Sequence, residues 1–172
     1  MRMHSIALVT LLLLAAALAG PAAAQKRGEQ PVLISIKRMS LDTALKAARA
    51  AIEACRKEGV QVAVTVLDRS GHPQAVLRDV LAPDLTLAVS RAKAYAAVSF
   101  VLPTSQLEGR FTTPFGPPAV GGLVMSPGGL PIQAGGELVG AIGVSGAPSA
   151  QTDELCARKG FEAIVEDLEL GG

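Results

Sequence analysis

Leu138-Val139-Gly140-Ala141-Ile142-Gly143-Val144-Ser145 is the stretch of sequence that decides the fold. Its residues are apolar or small throughout, which is typical of a strand that is covered on both faces. Its two glycines predict that another element lies close against the strand backbone. Ser149 follows as a helix N-cap, with Asp153 in the first turns of that helix. A strand and then a final helix are therefore expected here.

Upstream of this strand, the sequence predicts two hairpins. Val62–Leu67 is apolar or small on both faces and is expected to form a central strand. The turn residues Asp68–Pro73 connect it to a short returning strand at Ala75–Arg78. Gly122–Met125 is predicted to form a third strand, and Gly135-Gly136 forms a second hairpin turn.

Three helices are predicted from apolar residues that recur every three or four positions. The first spans Ser40–Glu58, with Ser40 as its N-cap, and stops at Gly59. The second runs from Pro83 or Asp84 to about Phe100, and the third starts after Ser149. The predicted apolar stripes are Leu41, Ala44, Leu45, Ala48, Ala51, Ile52 and Cys55; Leu85, Ala88, Val89, Ala92 and Ala96; and Ala157, Phe161, Ile164, Val165 and Leu168.

These elements predict an α+β fold with one mainly antiparallel sheet of about five strands and helices packed on it. Phe111–Val120 contains three prolines and is expected to be an irregular loop. No repeat and no linker divides the chain, so residues 40–172 should form a single domain.

The N-terminus has the pattern of a secretory signal peptide. Arg2 precedes the apolar run Ile6–Ala19, and Ala22-Ala23-Ala24 supplies small residues for cleavage. The run is shorter than the roughly 20 residues that a spanning helix needs, although an uncleaved anchor is an alternative. We therefore expect a signal peptide at 1–24, a polar tail at 25–39, and a periplasmic or extracellular protein without stable membrane insertion after cleavage.

Charge and composition exclude some partners and favour others. The chain has 16 basic and 15 acidic residues, and loss of Arg2 makes them equal. No basic block is present, so no nucleic-acid partner is expected. A neutral, glycine-rich chain with 18 glycines and five aromatic residues favours self-association, most simply an even-numbered homo-oligomer.

Two cysteines remain after cleavage, Cys55 and Cys156. Their spacing excludes a CxxC redox pair, and two thiolates are too few for a structural zinc site. If the first and last helices are neighbours, a bond between them is possible. On a helical wheel, however, Cys156 lies roughly 120° away from the predicted stripe of the last helix. We therefore expect both thiols to be free.

The best candidate for a binding segment is Gly128-Gly129-Leu130-Pro131. Its glycines could expose backbone N–H groups to an anion or a flat ligand, although a bulge or strand bend explains them too. Arg78 and Lys93 could contact carboxylates if they converge with this bend, whereas Lys93 could equally belong to a solvated helix face. The predicted ligand-binding residues are thus Arg78, Lys93, Gly128, Gly129 and Pro131.

His72 is the only histidine that remains after cleavage. It could ligate a metal, but its position in a turn also suits an ordinary exposed side chain. Asp68 at the strand end is expected to cap its own turn rather than to act in a pocket. Tyr95, Met39 and Met125 could bind haem iron in principle but are more often packing residues. No motif of hydrolases, dinucleotide folds or phosphate loops is present, and no catalytic residue is predicted.

Several of these segments, taken in order, resemble one known family. They cover Ser40 to Leu168 and are similar to the GlcG/HbpS-like haem-binding family, especially its secreted HbpS-like branch. The strand-and-turn segment at 140–148, followed by Asp153 and Glu154, is the most specific of them. The segments are Val66–Gly71, Arg91–Ala97, Pro103–Ser105, Gly128–Pro131 and Gly140–Pro148.

The resemblance implies a profilin-like α+β domain that forms homo-oligomers and binds haem in some members. It implies a secreted small-ligand-binding protein with a role in haem sensing or handling, with haem as the suspected cofactor. Secreted relatives can use a histidine near the mature N-terminus for iron, and Gln25–Met39 contains none. His72 is then the remaining imidazole for the iron. With so few aromatics, binding should be shallow and no tighter than about micromolar.

Two alternatives from other classes stay open. The protein could be an enzyme, or a binder, that acts on a small metabolite such as a 2-hydroxy acid or oxidises haem. It could also be an oligomeric accessory protein without a ligand. The lack of a nucleophile–base pair or metal cluster in the sequence makes the enzyme the weaker hypothesis.

Overall fold

The computed structural model describes residues 31–110 and 121–171. The predicted signal peptide, the first six residues of the predicted tail and the loop Phe111–Val120 lie outside the described residues. The folded unit begins at Ile36. Its elements are α1 (Leu41–Lys57), β1 (Ala63–Asp68), β2 (Pro73–Arg78), α2 (Leu85–Phe100), a 3₁₀ turn (Thr104–Gln106), β3 (Gly129–Ala134), β4 (Glu137–Ser145), α3 (Ala150–Glu162) and α4 (Val165–Leu170).

The described strands form one sheet in the order β2-β1-β4-β3, and every neighbouring pair is antiparallel. The α+β class is confirmed, with four strands in the described residues rather than about five. The strand predicted at Gly122–Met125 is wrong. Val124 N donates a hydrogen bond to Ala92 O on α2 (3.4 Å), so this segment lies against a helix and not in the sheet.

Both faces of β1 are buried, as predicted for a central strand. Val64 and Val66 face α1 and α3 in the larger core, together with Ile142 of β4. Leu67 lies on the other face in a smaller core with the alanines of α2. The sheet is therefore a middle layer, with α1 and α3 on one side and α2 on the other.

The buried face of α2 differs from the predicted stripe. Leu85 is 64% exposed, whereas Ser90, Lys93 and Ala94 are buried. Gly143 is the reason, because a Cβ atom there would collide with the Ser90 carbonyl and with Ala94. Close approach to a glycine strand selects small residues, so the largest apolar side chains of α2 do not mark its buried face.

The expectation of free thiols is wrong, because Cys55 and Cys156 form a disulfide that joins α1 to α3. The stripe predicted for the last helix was incomplete: its Ala157 and Ile164 are fully buried, but Cys156 lies on the same buried face. Its buried face is Asp153, Cys156, Ala157 and Gly160, and the helix ends at Glu162. Gly160 permits the close approach, since a Cβ there would lie 2.7 Å from Ala47 O. Both sulfur-bearing residues are fully buried in this helix interface.

Within residues 31–110 and 121–171, no helix has the length and apolar content needed to cross a membrane.

Candidate functional site

Lys93 and Asp153 form a buried ion pair at one end of the sheet. Lys93 Nζ donates to Asp153 Oδ2 at 2.7 Å, and the two side chains are 3% and 5% exposed. Ala147 N donates to the other carboxylate oxygen at 3.0 Å. Burial raises the pKa of Asp153 above its usual value, although the hydrogen bonds from Lys93 and Ala147 act in the opposite direction. The predicted carboxylate partner of Lys93 is thus a residue of the same chain.

The predicted glycine bend lies directly against this ion pair. Gly128 has a φ of +126°, and a Cβ there would lie 2.9 Å from both Asp153 Cβ and Lys93 Nζ. Gly129 N donates to Thr104 Oγ1 at 2.8 Å. Both glycines are buried. The protein's own groups therefore fill the space beside the glycines, and we call Lys93, Asp153, Gly128 and Gly129 the closed cluster.

Arg78 lies elsewhere. It ends β2 at one edge of the sheet, whereas Gly129 and Pro131 belong to β3 at the other edge. Three strand spacings of roughly 4.8 Å separate those edges. The convergence predicted for Arg78, Lys93 and Gly128–Pro131 does not occur in one chain, because β1 and β4 lie between. Which of these residues contact a ligand stays a prediction.

A groove of about 470 Å³ does lie beside Arg78, between α1 and β2. We call it the α1/β2 groove. Its polar centre is Arg56, whose Nε and Nη2 donate to the two carboxylate oxygens of Asp79 at 2.7 and 3.0 Å. This bidentate bond lowers the pKa of Asp79 below its usual value, against the effect of burial. The lining residues are Arg49, Ile52, Glu53, Arg56, Leu77, Arg78 and Asp79.

The turn around His72 has the predicted structure. Asp68 Oδ1 accepts hydrogen bonds from Ser70 N (2.8 Å) and His72 N (3.0 Å), so its role in capping the turn is confirmed. Burial raises the pKa of Asp68, but these bonds and the charge of Arg38 outweigh it and leave the pKa lowered. The His72 side chain is 78% exposed, with Nδ1 3.7 Å from Asp68 Oδ1. Its ring is therefore accessible to a ligand from solvent.

The remaining candidates for iron ligation differ in accessibility. Met39 is 5% exposed and belongs to the larger core, as a packing residue does. Tyr95 is 42% exposed, and its ring packs against Gly71. Across the described ranges, no group of three or more His, Cys, Asp or Glu residues is arranged to hold a metal ion.

This fold is similar to the folds of known proteins. The family model described as "Haem degrading protein HbpS-like" matches residues 39–162. The chain belongs to the HbpS-like family. The crystal structure of a double mutant of Streptomyces reticuli HbpS is 38% identical, with a TM-score of 0.74, and the match covers 84% of this chain and 99% of that one.

Two further structures are similar to this HbpS-like chain. PduOC, crystallised as a haem complex, is 26% identical with a TM-score of 0.69, and the match covers 74% of this chain and 96% of PduOC. Protein ORFY of Klebsiella pneumoniae is 23% identical with a TM-score of 0.74, covering 78% and 96% of the two chains, and supports the fold alone. No curated protein sequence matches the chain closely enough to count as a relative.

Sequence reasoning on this HbpS-like chain missed Arg49 and Arg56 as groove residues. They share one face of α1 with Ile52 and Glu53, at spacings of three and four residues. The signal was present, because Ile52 was already assigned to the buried stripe of α1. Counting only apolar residues hid the cations that flank it.

Proposed function

We propose that this protein binds haem. The observation that carries the proposal is the match of residues 39–162 to the HbpS-like family, in which haem is the named ligand chemistry. The haem complex of PduOC, a relative of the same fold, supports it. Binding of a flat dicarboxylate to a small α+β domain requires an apolar surface, cations for the carboxylates and a group that can reach the iron.

The described residues fit those requirements at the surface rather than in the core. The closed cluster is filled by the protein itself, and so its Lys93 is already paired. Arg78 beside the α1/β2 groove is the predicted cation that remains open to solvent. Haem would be held there by its carboxylates and by contact between the ring and apolar side chains.

For the iron we propose His72 as ligand, because its imidazole is 78% exposed and is anchored by the backbone of a hydrogen-bonded turn. His72 precedes β2 and Arg78 ends it, roughly 20 Å apart, so a haem that contacts both must lie along the strand. A neutral imidazole nitrogen is a common haem ligand. His72→Ala is then expected to change the Soret spectrum of the bound pigment. Ser70→Ala, in the same exposed turn, is the control and should leave the spectrum unchanged.

Titration of the mature protein with haemin tests the proposed function directly. The expected result is a shifted Soret band that saturates with a Kd near micromolar, about −8 kcal/mol. If the absorbance is the sum of protein and free haemin at every ratio, haem binding is excluded. A small metabolite would then be the ligand to test next.

The family description names haem degradation, and this favours a second activity to be tested. The complex would be mixed with a reductant and oxygen, and the Soret band followed over time. Loss of the band that outpaces loss of free haemin under the same conditions would indicate degradation. A stable band would indicate binding alone.

We also propose that the mature protein is exported. The basic start, apolar run and Ala22–Ala24 exit of the sequence support export, as does the disulfide between Cys55 and Cys156. Expression of the full chain in a Gram-negative host should yield a periplasmic protein that starts at Gln25. N-terminal sequencing checks this, and an uncleaved cytoplasmic chain would contradict it.

Finally, we propose that the protein is a homo-oligomer. Val80, Leu81 and Leu85 are 78%, 77% and 64% exposed and follow the edge strand β2. A cluster of large apolar side chains in one surface region is typical of an interface. Leu81→Asp should lower the molar mass measured by light scattering. Leu170→Asp, equally exposed on α4, is the control, and a monomeric unmodified protein at micromolar concentration would contradict the proposal.

A further inference from the structure

The α1/β2 groove combines an apolar floor with a charged rim. Ile52 of α1 is 7% exposed, and Leu77 of β2 is half-buried and packs against the larger core. Arg49 and Arg78 line the same groove from its two sides. A volume of about 470 Å³ falls within the range of roughly 300–1,000 Å³ that small-molecule sites occupy.

The charges of the groove do not cancel. Both of its acidic residues contact Arg56, because Glu53 Oε1 accepts from Nη1 at 2.6 Å and Asp79 accepts from Nε and Nη2. One guanidinium therefore serves two carboxylates. Arg49 makes no hydrogen bond or ion pair with any residue in the described parts of the chain. Arg49 and Arg78 remain as two cations without a carboxylate partner.

Arg78 is already oriented before any ligand arrives. Its Nη1 donates to the carbonyl oxygens of Ala82 and Asp79, in the turn that follows β2. These bonds hold the guanidinium in place and use one of its nitrogens, which leaves the N–H groups of Nε and Nη2 for another acceptor. Fixing the side chain in advance lowers the entropy lost on binding.

We propose that the α1/β2 groove binds the carboxylates of a flat, apolar dicarboxylate, with Arg49 and Arg78 donating to them and Ile52 and Leu77 contacting the ring. Naming haem as that ligand rests on the proposed function, whereas the groove itself rests on the geometry of these four side chains. Arg56 contacts no ligand in this arrangement. It pairs with Asp79 and Glu53 and so reduces the repulsion that these two carboxylates would exert on a carboxylate ligand.

The test uses an iron-free probe, so that iron ligation does not enter. Protoporphyrin IX carries two carboxylates, and its dimethyl ester has the same ring without them. Fluorescence titrations would compare the unmodified protein with Arg49→Gln/Arg78→Gln. The matched control is Arg91→Gln/Arg110→Gln, which removes two exposed arginines outside the groove. Circular dichroism and thermal unfolding would confirm that each variant is folded.

We expect the groove variant to bind protoporphyrin IX about tenfold more weakly, since each exposed ion pair contributes up to about 1 kcal/mol. The control should bind as the unmodified protein does, and the ester should bind both double variants equally. Arg49→Gln alone, which removes no internal bond, should give about a threefold loss. This single variant keeps the test decisive if the double variant does not fold.

Any other outcome contradicts the proposal that the α1/β2 groove is the binding site. Equal protoporphyrin binding by the groove variant and the control, equal losses for the acid and the ester, or no binding of either porphyrin to the unmodified protein would all do so. The proposed function is judged separately by haemin. Haemin binding that survives in the groove variant leaves haem binding intact without this groove. Groove-dependent protoporphyrin binding without a haemin Soret shift leaves the groove intact and excludes haem as its ligand.

Discussion

The closed cluster and the α1/β2 groove each pair a cation with a carboxylate, but they do so in opposite environments. In the closed cluster, Lys93 and Asp153 are both nearly inaccessible, and burial raises the pKa of the carboxyl group. In the groove, Arg56 is 50% exposed beside a buried Asp79, and the bidentate bond lowers the pKa of that carboxyl group. Desolvation dominates the first site and hydrogen bonding dominates the second.

The difference teaches how a structural ion pair can be told from a binding surface. The closed cluster has one cation for one carboxylate, and Gly128 leaves it no free volume. The groove has three arginines for two acids and open volume beside them. Unbalanced charge beside apolar surface therefore indicates a ligand, whereas balanced charge under a glycine indicates packing.

The largest effect is expected from breaking the closed cluster. Lys93→Met leaves the Asp153 carboxylate buried without its cation and should lower the free energy of unfolding by about 4 kcal/mol. Urea unfolding measures this. Lys93→Met/Asp153→Leu removes both charges and should recover most of the loss. A loss below about 1 kcal/mol for Lys93→Met would mean that the pair is open to water.

Removal of the disulfide should have the second-largest effect on stability. This bond also links the helices that carry the two sites. Arg49 lies on α1 and Asp153 on α3, and the bond joins these helices. Cys55→Ala/Cys156→Ala should lower the free energy of unfolding by about 3 kcal/mol, because the unfolded chain regains its freedom. A thiol assay on unreduced, denatured protein should find no reactive thiol. Two reactive thiols would contradict the bond.

Gly128→Ala probes the lack of free volume in the closed cluster. A Cβ atom there meets Val144 O at 2.8 Å in a backbone conformation that L residues rarely adopt, so a loss of about 2–3 kcal/mol is expected. Gly136→Ala is the control. It has a φ of +80° but nothing within 4 Å, and backbone strain alone should cost it about 1 kcal/mol. Equal losses for the two variants would show that the closed cluster can rearrange to accommodate the added Cβ atom.

The smallest effect is a difference in acid stability. Asp79 has a lowered pKa in the folded protein, so its stabilising contribution is present above pH 3.8, its unfolded value, and is lost as the pH falls through the folded pKa. Asp79→Asn should therefore flatten the loss of stability below pH 4. Asp153 has a raised pKa and acts in the opposite sense, since its contribution falls as pH rises through the folded value. Unfolding curves at several pH values distinguish the contribution of Asp79 from that of Asp153, and Asp42→Asn is the control.

The sequence predicted the elements of this fold well, because their patterns are local. The hairpin turns, the central strand β1, the N-caps Ser40 and Ser149 and the stop of α1 near Gly59 all depend on neighbouring residues. The strand at Gly122–Met125 was wrong because the backbone of Val124 bonds to Ala92 on α2 instead of to a neighbouring strand. The apolar content of a segment does not determine which element of the fold will lie against it.

The candidate site was harder to predict, because it depends on which faces meet. Lys93 was assigned correctly to a helix, but only the glycine strand beneath α2 decides that its side chain is buried. The disulfide was missed for a related reason, as Gly160 rather than a large apolar residue marks the buried face of α3. In a chain of small residues, glycine contacts reveal helix faces better than hydropathy does.

The bond between Cys55 and Cys156 also turns most of the domain into a closed covalent loop. The two residues are 101 positions apart, and all four strands of the described sheet, together with α2, lie between them. A single peptide-bond cleavage inside that loop would open a ring rather than separate two fragments. The nicked protein would run as one piece on a gel until it is reduced. Damage to a surface loop would therefore leave the sheet and its helices covalently together.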